Sequence, residues 1–168
     1  MVWNMNNTDV EQILDECKQD LERIHLAITN TLGPTSPVVP FLTNYAVIRA
    51  CGTMEVAFKS IITDHCSRRS KRQVKNYLEN KVRNSSMNPS YSRIVKTLKD
   101  FDPTWQESFK NGINGHHNRD KILTSMESLV GARNAIAHGG QTQLSITDIV
   151  TYFDDFREAI EILDSVVS

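Results

Sequence analysis

The chain has 168 residues, 39% hydrophobic and 23% charged, a composition that fits one globular domain over 1–168 with its core at about 8–167. Seven glycines and five prolines leave few turn signals, which favours long helices over many short strands, and a formal net charge of −1 says nothing by itself about a nucleic-acid partner. Three cysteines (Cys17, Cys51, Cys66) without a Cys-x-x-Cys spacing exclude a disulfide scaffold and a zinc ribbon. No stretch approaches the roughly 20 apolar residues of a membrane span, and no basic segment precedes an apolar run at the N-terminus, so a reducing, cytoplasmic setting is expected.

Thr8-Asp9-Val10-Glu11 predicts a helix start, with Thr8 as N-cap and Glu11 closing a capping box. Val10, Ile13, Leu14, Cys17, Leu21, Ile24 and Ile28 follow at helical spacing until Gly33-Pro34. A connector rich in proline leads to a second helix over about 41–65, whose buried stripe is predicted as Tyr45, Ile48, Cys51, Phe58, Ile61 and Ile62. Arg49, Gly52 and Glu55 interrupt that stripe, and an exposed Arg49–Glu55 pair is the simplest reading. Two shorter helices are expected near 70–83 and 90–100, split by Asn84 to Pro89, and another starts at Asp102-Pro103 with Trp105 and Phe109. The segment 111–118 reads as a polar loop. A strong helix over 119–138 carries Ile122, Met126, Leu129 and Val130 and stops at Gly139-Gly140. Ser145-Ile146-Thr147-Asp148 then starts a last helix bearing Ile149, Phe153, Phe156, Ile160 and Leu163. No alternating strand pattern of useful length is present, so the class is all-α.

Charge is distributed unevenly. The first helix (8–32) holds six acids and two bases, the last (145–168) six acids and one base. Between Arg68 and Lys99 there are ten Lys/Arg against Glu79 alone. Such a locally basic surface suits phosphates even at neutral net charge, with Arg68, Arg69, Lys71, Arg72 and Lys75 as the candidate contacts. The alternative is a solvated face that pairs with the acidic helices.

The segment Arg133-Asn134-Ala135-Ile136-Ala137-His138 holds the candidate chemistry. Histidine can move protons near neutral pH, and an arginine fork suits phosphate oxygens. Asn134 and His138 are four apart and share one side of the helix, extended by Gly131 and Glu127. Arg133 instead falls on the row Ile122, Met126, Leu129, Ile136, at the edge of an apolar face, where it borders an interface or pairs with an acid such as Glu55. Taken alone, the segment also fits a plain helix C-cap. His116-His117 lies in a polar loop with no nearby partner residue, so no metal site is expected.

Arg133 to Gly139 at the end of a helix in an all-helical chain resembles the signature of the HEPN superfamily, most closely its RiboL-PSP-HEPN branch. Val47–Phe58, Asn88–Ile94 and Phe101–Trp105 add to the likeness, which spans roughly 41–160. The resemblance implies a HEPN-like bundle of four or more helices plus short ones, dimeric, with the motifs of two subunits facing one cleft. It implies RNA cleavage without a metal or other cofactor, with Arg133 and His138 as the active pair and Asn134 orienting them. Arg49 and Glu55 are carried over as secondary candidates. The biology it implies is that of a toxin or phage-defence effector, with an antitoxin or other protein as a possible partner. A non-catalytic domain that binds RNA, nucleotide or a protein is the alternative function.

Overall fold

A computed structural model describes residues 5–168, and these form seven α-helices and no strand. Helix α1 (Thr8–Leu26) runs into a wider π-helical turn (Ala27–Leu32) and stops at Gly33, whose φ of +76° is a left-handed conformation natural to glycine. Helix α2 (Val39–Ser67) begins with Pro40 in its first turn, where a missing N–H costs nothing. Helix α3 (Arg72–Leu78) continues as a π turn to Arg83. Then come α4 (Tyr91–Phe101), α5 (Pro103–Gly115), α6 (Arg119–Ala137) and α7 (Ile146–Val167).

The first helix starts one residue earlier than the capping box predicts. Asn7 is the N-cap and accepts the Val10 N–H at 3.1 Å, while Thr8 is already helical. Both residue types cap well; the tie is broken by tertiary contact, because the Asn7 amide also donates to Asp64 of α2 at 3.0 Å. At the other end of the chain the Ser145–Asp148 capping box forms as expected, with both reciprocal bonds present.

Helix α2 is the axis of the bundle. It packs against α1, α6 and α7 and buries Ala46, Val47, Ala50, Cys51, Met54, Ala57, Phe58, Ile61 and Ile62. Leu14, Cys17 and Leu21 of α1, Ile122, Met126 and Leu129 of α6, and Phe153, Phe156, Ile160 and Leu163 of α7 close the core around it. Full burial of an aromatic or aliphatic side chain of this size is worth about 1.5–3 kcal/mol, so α2 and α7 carry much of the cohesion.

The expected stripe on α2 is corrected in two places: Tyr45 and Ile48 are 54% and 50% exposed. Because three helices surround α2, its buried sector is wide and runs through small residues. Phe41, Tyr45, Ile48, Gly52 and Val56 are left as a second, outward stripe at spacings of four, three, four and four. Helix α5 also runs further than predicted, to Gly115, so the polar loop shrinks to 116–118. The extra turn inserts Ile113 into the core, and Gly112 makes it possible: a Cβ there would stand 2.6 Å from Ile162 Cγ2 of α7.

The acidic faces of α1 and α7 are bridged by few cations. Arg157, buried, reaches Asp15 at 2.6 Å and Glu161 at 3.3 Å, and Lys18 pairs with Asp154. Burial pushes the Glu161 carboxyl up to about 7 against the pull of Arg157. An ordinary glutamate titrates near 4.5, so the native state holds this proton more tightly than the unfolded chain. The contribution of Glu161 therefore falls as pH rises from about 4.5 to about 7 and is constant above that. Thermal melts should show the parent losing more Tm than Glu161→Gln across this window; equal slopes would remove Glu161 as the source.

Candidate active site at the end of α6

The last turn of α6 carries the Arg133–His138 segment. The helix ends at Ala137, one residue before the predicted end, so His138 is the C-cap, and its N–H donates to the carbonyls of Asn134 at 3.1 Å and Ala135 at 3.2 Å. Gly139 then takes φ +84°, and the Gly140 N–H returns to the Ala135 carbonyl at 2.9 Å. A Cβ on Gly140 would sit 2.9 Å from that same carbonyl oxygen. Both glycines are thus required by the turn that fixes where His138 emerges. Further on, the Thr142 N–H donates to Asn44 Oδ1 of α2 at 3.0 Å, which ties the turn beside Tyr45.

Arg133 and Asn134 are half-buried, whereas His138 is exposed and its side chain has no hydrogen-bond partner among the described residues. Asn134 Oδ1 accepts from Arg133 Nη1 at 3.4 Å and from Asn88 Nδ2 at 3.3 Å. Arg133 has no carboxylate within 4.0 Å among the described residues, so its charge is not consumed by a salt bridge. Behind it lies Cys51, whose Sγ donates to the Leu129 carbonyl. Burial pushes that thiol up to about 12, with the Arg133 charge pulling the other way, and it remains a neutral packing group.

Glu55 does not pair with Arg133, and it does not pair with Arg49 either. Its carboxylate accepts from Lys59 Nζ at 2.8 Å and from the Met87 N–H at 2.8 Å, and Lys59 also donates to the Ser85 carbonyl. The pair clamps the segment 85–88 onto α2, and that segment delivers Asn88 to Asn134. Arg49 turns to α1 instead, bonding Asp20 at 3.2 Å and Thr53 at 2.8 Å. The structure therefore connects Glu55 to the motif indirectly and leaves Arg49 apart from it.

In the basic stretch, among the described residues only Arg83 has a carboxylate partner, pairing with Asp64 and Glu79. Arg68, Arg69, Lys71, Arg72 and Lys75 are exposed and make no ion pair among the described residues, so the acidic helices do not neutralise them. The histidine pair also departs from expectation. His117 is exposed, but His116 is half-buried; its Nδ1 accepts the Asn118 N–H at 3.2 Å and lies 3.5 Å from Glu158. Among the described residues no helix is long and apolar enough to cross a membrane.

A family model described as RiboL-PSP-HEPN matches residues 8–168, which takes in every helix of the fold and the whole of the Arg133–His138 turn. The chain belongs to the RiboL-PSP-HEPN family. No curated protein and no solved structure matches it. Membership is compatible with an RNA-cleaving or RNA-binding role.

Two members of this candidate site escape a reading of the sequence. Asn88 lies 46 positions from Asn134 in an irregular segment, and no local pattern couples them. Lys59 did leave a signal, since Glu55 and Lys59 stand four apart in the favourable order on a helix, but only the fold shows that Lys59 is buried and Glu55 partly so. Removing one member of such a pair strands the other charge. Lys59→Met should cost about 3–5 kcal/mol in denaturant unfolding, and adding Glu55→Met should recover much of it. Additive losses in the double variant would show that the pair is not coupled.

Proposed function

We propose that this RiboL-PSP-HEPN chain is an endoribonuclease that cuts RNA by attack of a ribose 2′-hydroxyl on the adjacent phosphate. The reading is carried by one observation: Arg133 and His138 are held at one helix end by an obligatory glycine turn, and neither has an acidic partner that would absorb its charge. His138 takes the 2′ proton as the oxygen attacks phosphorus, and the bond to the 5′-oxygen breaks. Arg133 stabilises charge on the phosphorane oxygens. Asn134, held between Arg133 and Asn88, keeps the guanidinium aimed. The products are a 2′,3′-cyclic phosphate and a 5′-hydroxyl. The chemistry uses side chains alone.

The leaving 5′-oxygen needs a proton that one His138 does not supply. We assign it to His138 of the partner subunit in a homodimer, or to water. The outward stripe of α2 supports the dimer: Phe41, Tyr45, Ile48 and Val56 are exposed on a helix otherwise enclosed by its own chain, and the stripe passes the Thr142–Asn44 bond that anchors the turn after His138. Arg68, Arg69, Lys71, Arg72 and Lys75 are the proposed contacts to the RNA backbone, which predicts affinity that falls steeply with salt. A toxin or phage-defence role, held in check by an antitoxin or other protein, is the biological setting this activity fits.

Incubation of the purified protein with end-labelled RNA in EDTA tests the reading. Cleavage by the parent that disappears in Arg133→Ala supports it. Binding without cleavage would favour the non-catalytic alternative, a domain that holds RNA, nucleotide or a protein partner.

A further inference from the structure

A cavity of about 740 Å³ opens where the C-terminal end of α2 meets α3 and the α4–α5 junction. It is distinct from the Arg133–His138 site. His65 on its wall lies fourteen residues along α2 from Cys51, the residue that touches α6, or about 21 Å at the helical rise. The volume falls in the range of about 300–1,000 Å³ typical of small-molecule sites.

Three kinds of group converge there. Trp105, Phe101 and Leu78 give an apolar and aromatic lining. His65 meets Trp105 edge to face, with ring centroids 5.4 Å apart and planes at 84°, and its Nδ1 is buried with no hydrogen-bond partner. Arg68 and Arg69 stand exposed on the same cavity with no ion pair, and no carboxylate lines it among the described residues. The edge-to-face contact with His65 holds the Trp105 ring in place on the wall. Flat walls suit a heterocycle, and paired guanidiniums suit a phosphate.

We propose that this cavity binds one nucleotide unit, with the base among Trp105, Phe101 and Leu78 and its phosphate on Arg68 and Arg69. The nucleotide is either a base splayed from a single RNA strand or a free mononucleotide. For the first source the proposal rests on the RNA reading above, and it would make the cavity the place where sequence preference is read, away from the cleaving residues.

Equilibrium dialysis with AMP tests it, using the full chain carrying His138→Ala so that no RNA is cut. Competition by a short oligoadenylate separates the two sources. AMP should bind, and both Trp105→Leu and the exposed pair Arg68→Gln with Arg69→Gln should weaken it about tenfold or more, while Arg133→Ala should leave it unchanged. Circular dichroism melts check that Trp105→Leu is folded; the arginine pair, being on the surface, keeps the test valid if it is not. Displacement of AMP by the oligonucleotide supports the RNA source, and its failure supports the free mononucleotide. No saturable AMP binding at millimolar concentration, or binding indifferent to the arginine pair, overturns the proposal. Cleavage is scored separately. RNA cutting by the parent without AMP binding would sink the cavity and leave the ribonuclease standing. AMP binding lost in the cavity variants, beside a parent that cuts nothing, would do the reverse.

Discussion

His138→Ala should abolish RNA cleavage, lowering kcat/KM by about 10²–10⁴, the range that a positioned acid or base contributes. The loss should fall on kcat, because the imidazole, exposed and without a protein partner, is proposed to act by moving a proton in the transition state. Fold stability should change little for the same reason: the backbone N–H of His138, not its ring, closes the helix, and alanine keeps that N–H. Arg133→Ala should lose activity on a similar scale, with Arg133→Lys recovering only part, since an ammonium cannot reproduce the planar fork. Single-turnover kinetics on a defined RNA measures both, and wild-type rates in His138→Ala would end the assignment of this histidine.

The second large effect is expected far from the phosphate. Ile48→Glu should separate the proposed dimer and take most of the activity with it. Ile48 is half exposed at the centre of the outward stripe, so a glutamate costs the isolated fold little. At a self-facing interface the same change places two like charges against apolar surface. A central interface residue of this kind is worth about 2 kcal/mol or more, at least about thirtyfold in dimer affinity. Light scattering across a concentration series, beside the cleavage assay, reads both consequences. A parent that is monomeric at working concentration yet fully active would remove the partner's His138 from the mechanism.

That outward stripe is also where sequence and structure part. The periodicity of α6 and α7 reads correctly because each shows one apolar side to the core, and Ser145–Asp148 reads correctly because a capping box is a local device. Helix α2 has apolar residues nearly all round, so spacing cannot say which sector faces inward; Tyr45 and Ile48 fit a core stripe by spacing, but Ala46, Val47 and Ala50 occupy the core. The Arg133–His138 segment was legible as a turn of helix followed by two glycines. What the sequence could not supply were its supports. Asn88 reaches Asn134 only because Glu55 and Lys59 fold the 85–88 segment back onto α2, a contact between positions some 30 apart in the chain that no local pattern encodes. Glu55, read as a possible partner for Arg133 or Arg49, was spoken for by that same clamp.

The most direct measurement is the chemistry of the cut itself. A 5′-labelled RNA incubated with the parent in EDTA should yield fragments ending in a 2′,3′-cyclic phosphate, and the same strand with a single 2′-deoxyribose at the cleaved position should survive there intact. Cleavage of the deoxy-substituted linkage, or fragments ending in a 3′-hydroxyl, would contradict the attack by the 2′-oxygen on which the roles of Arg133 and His138 depend.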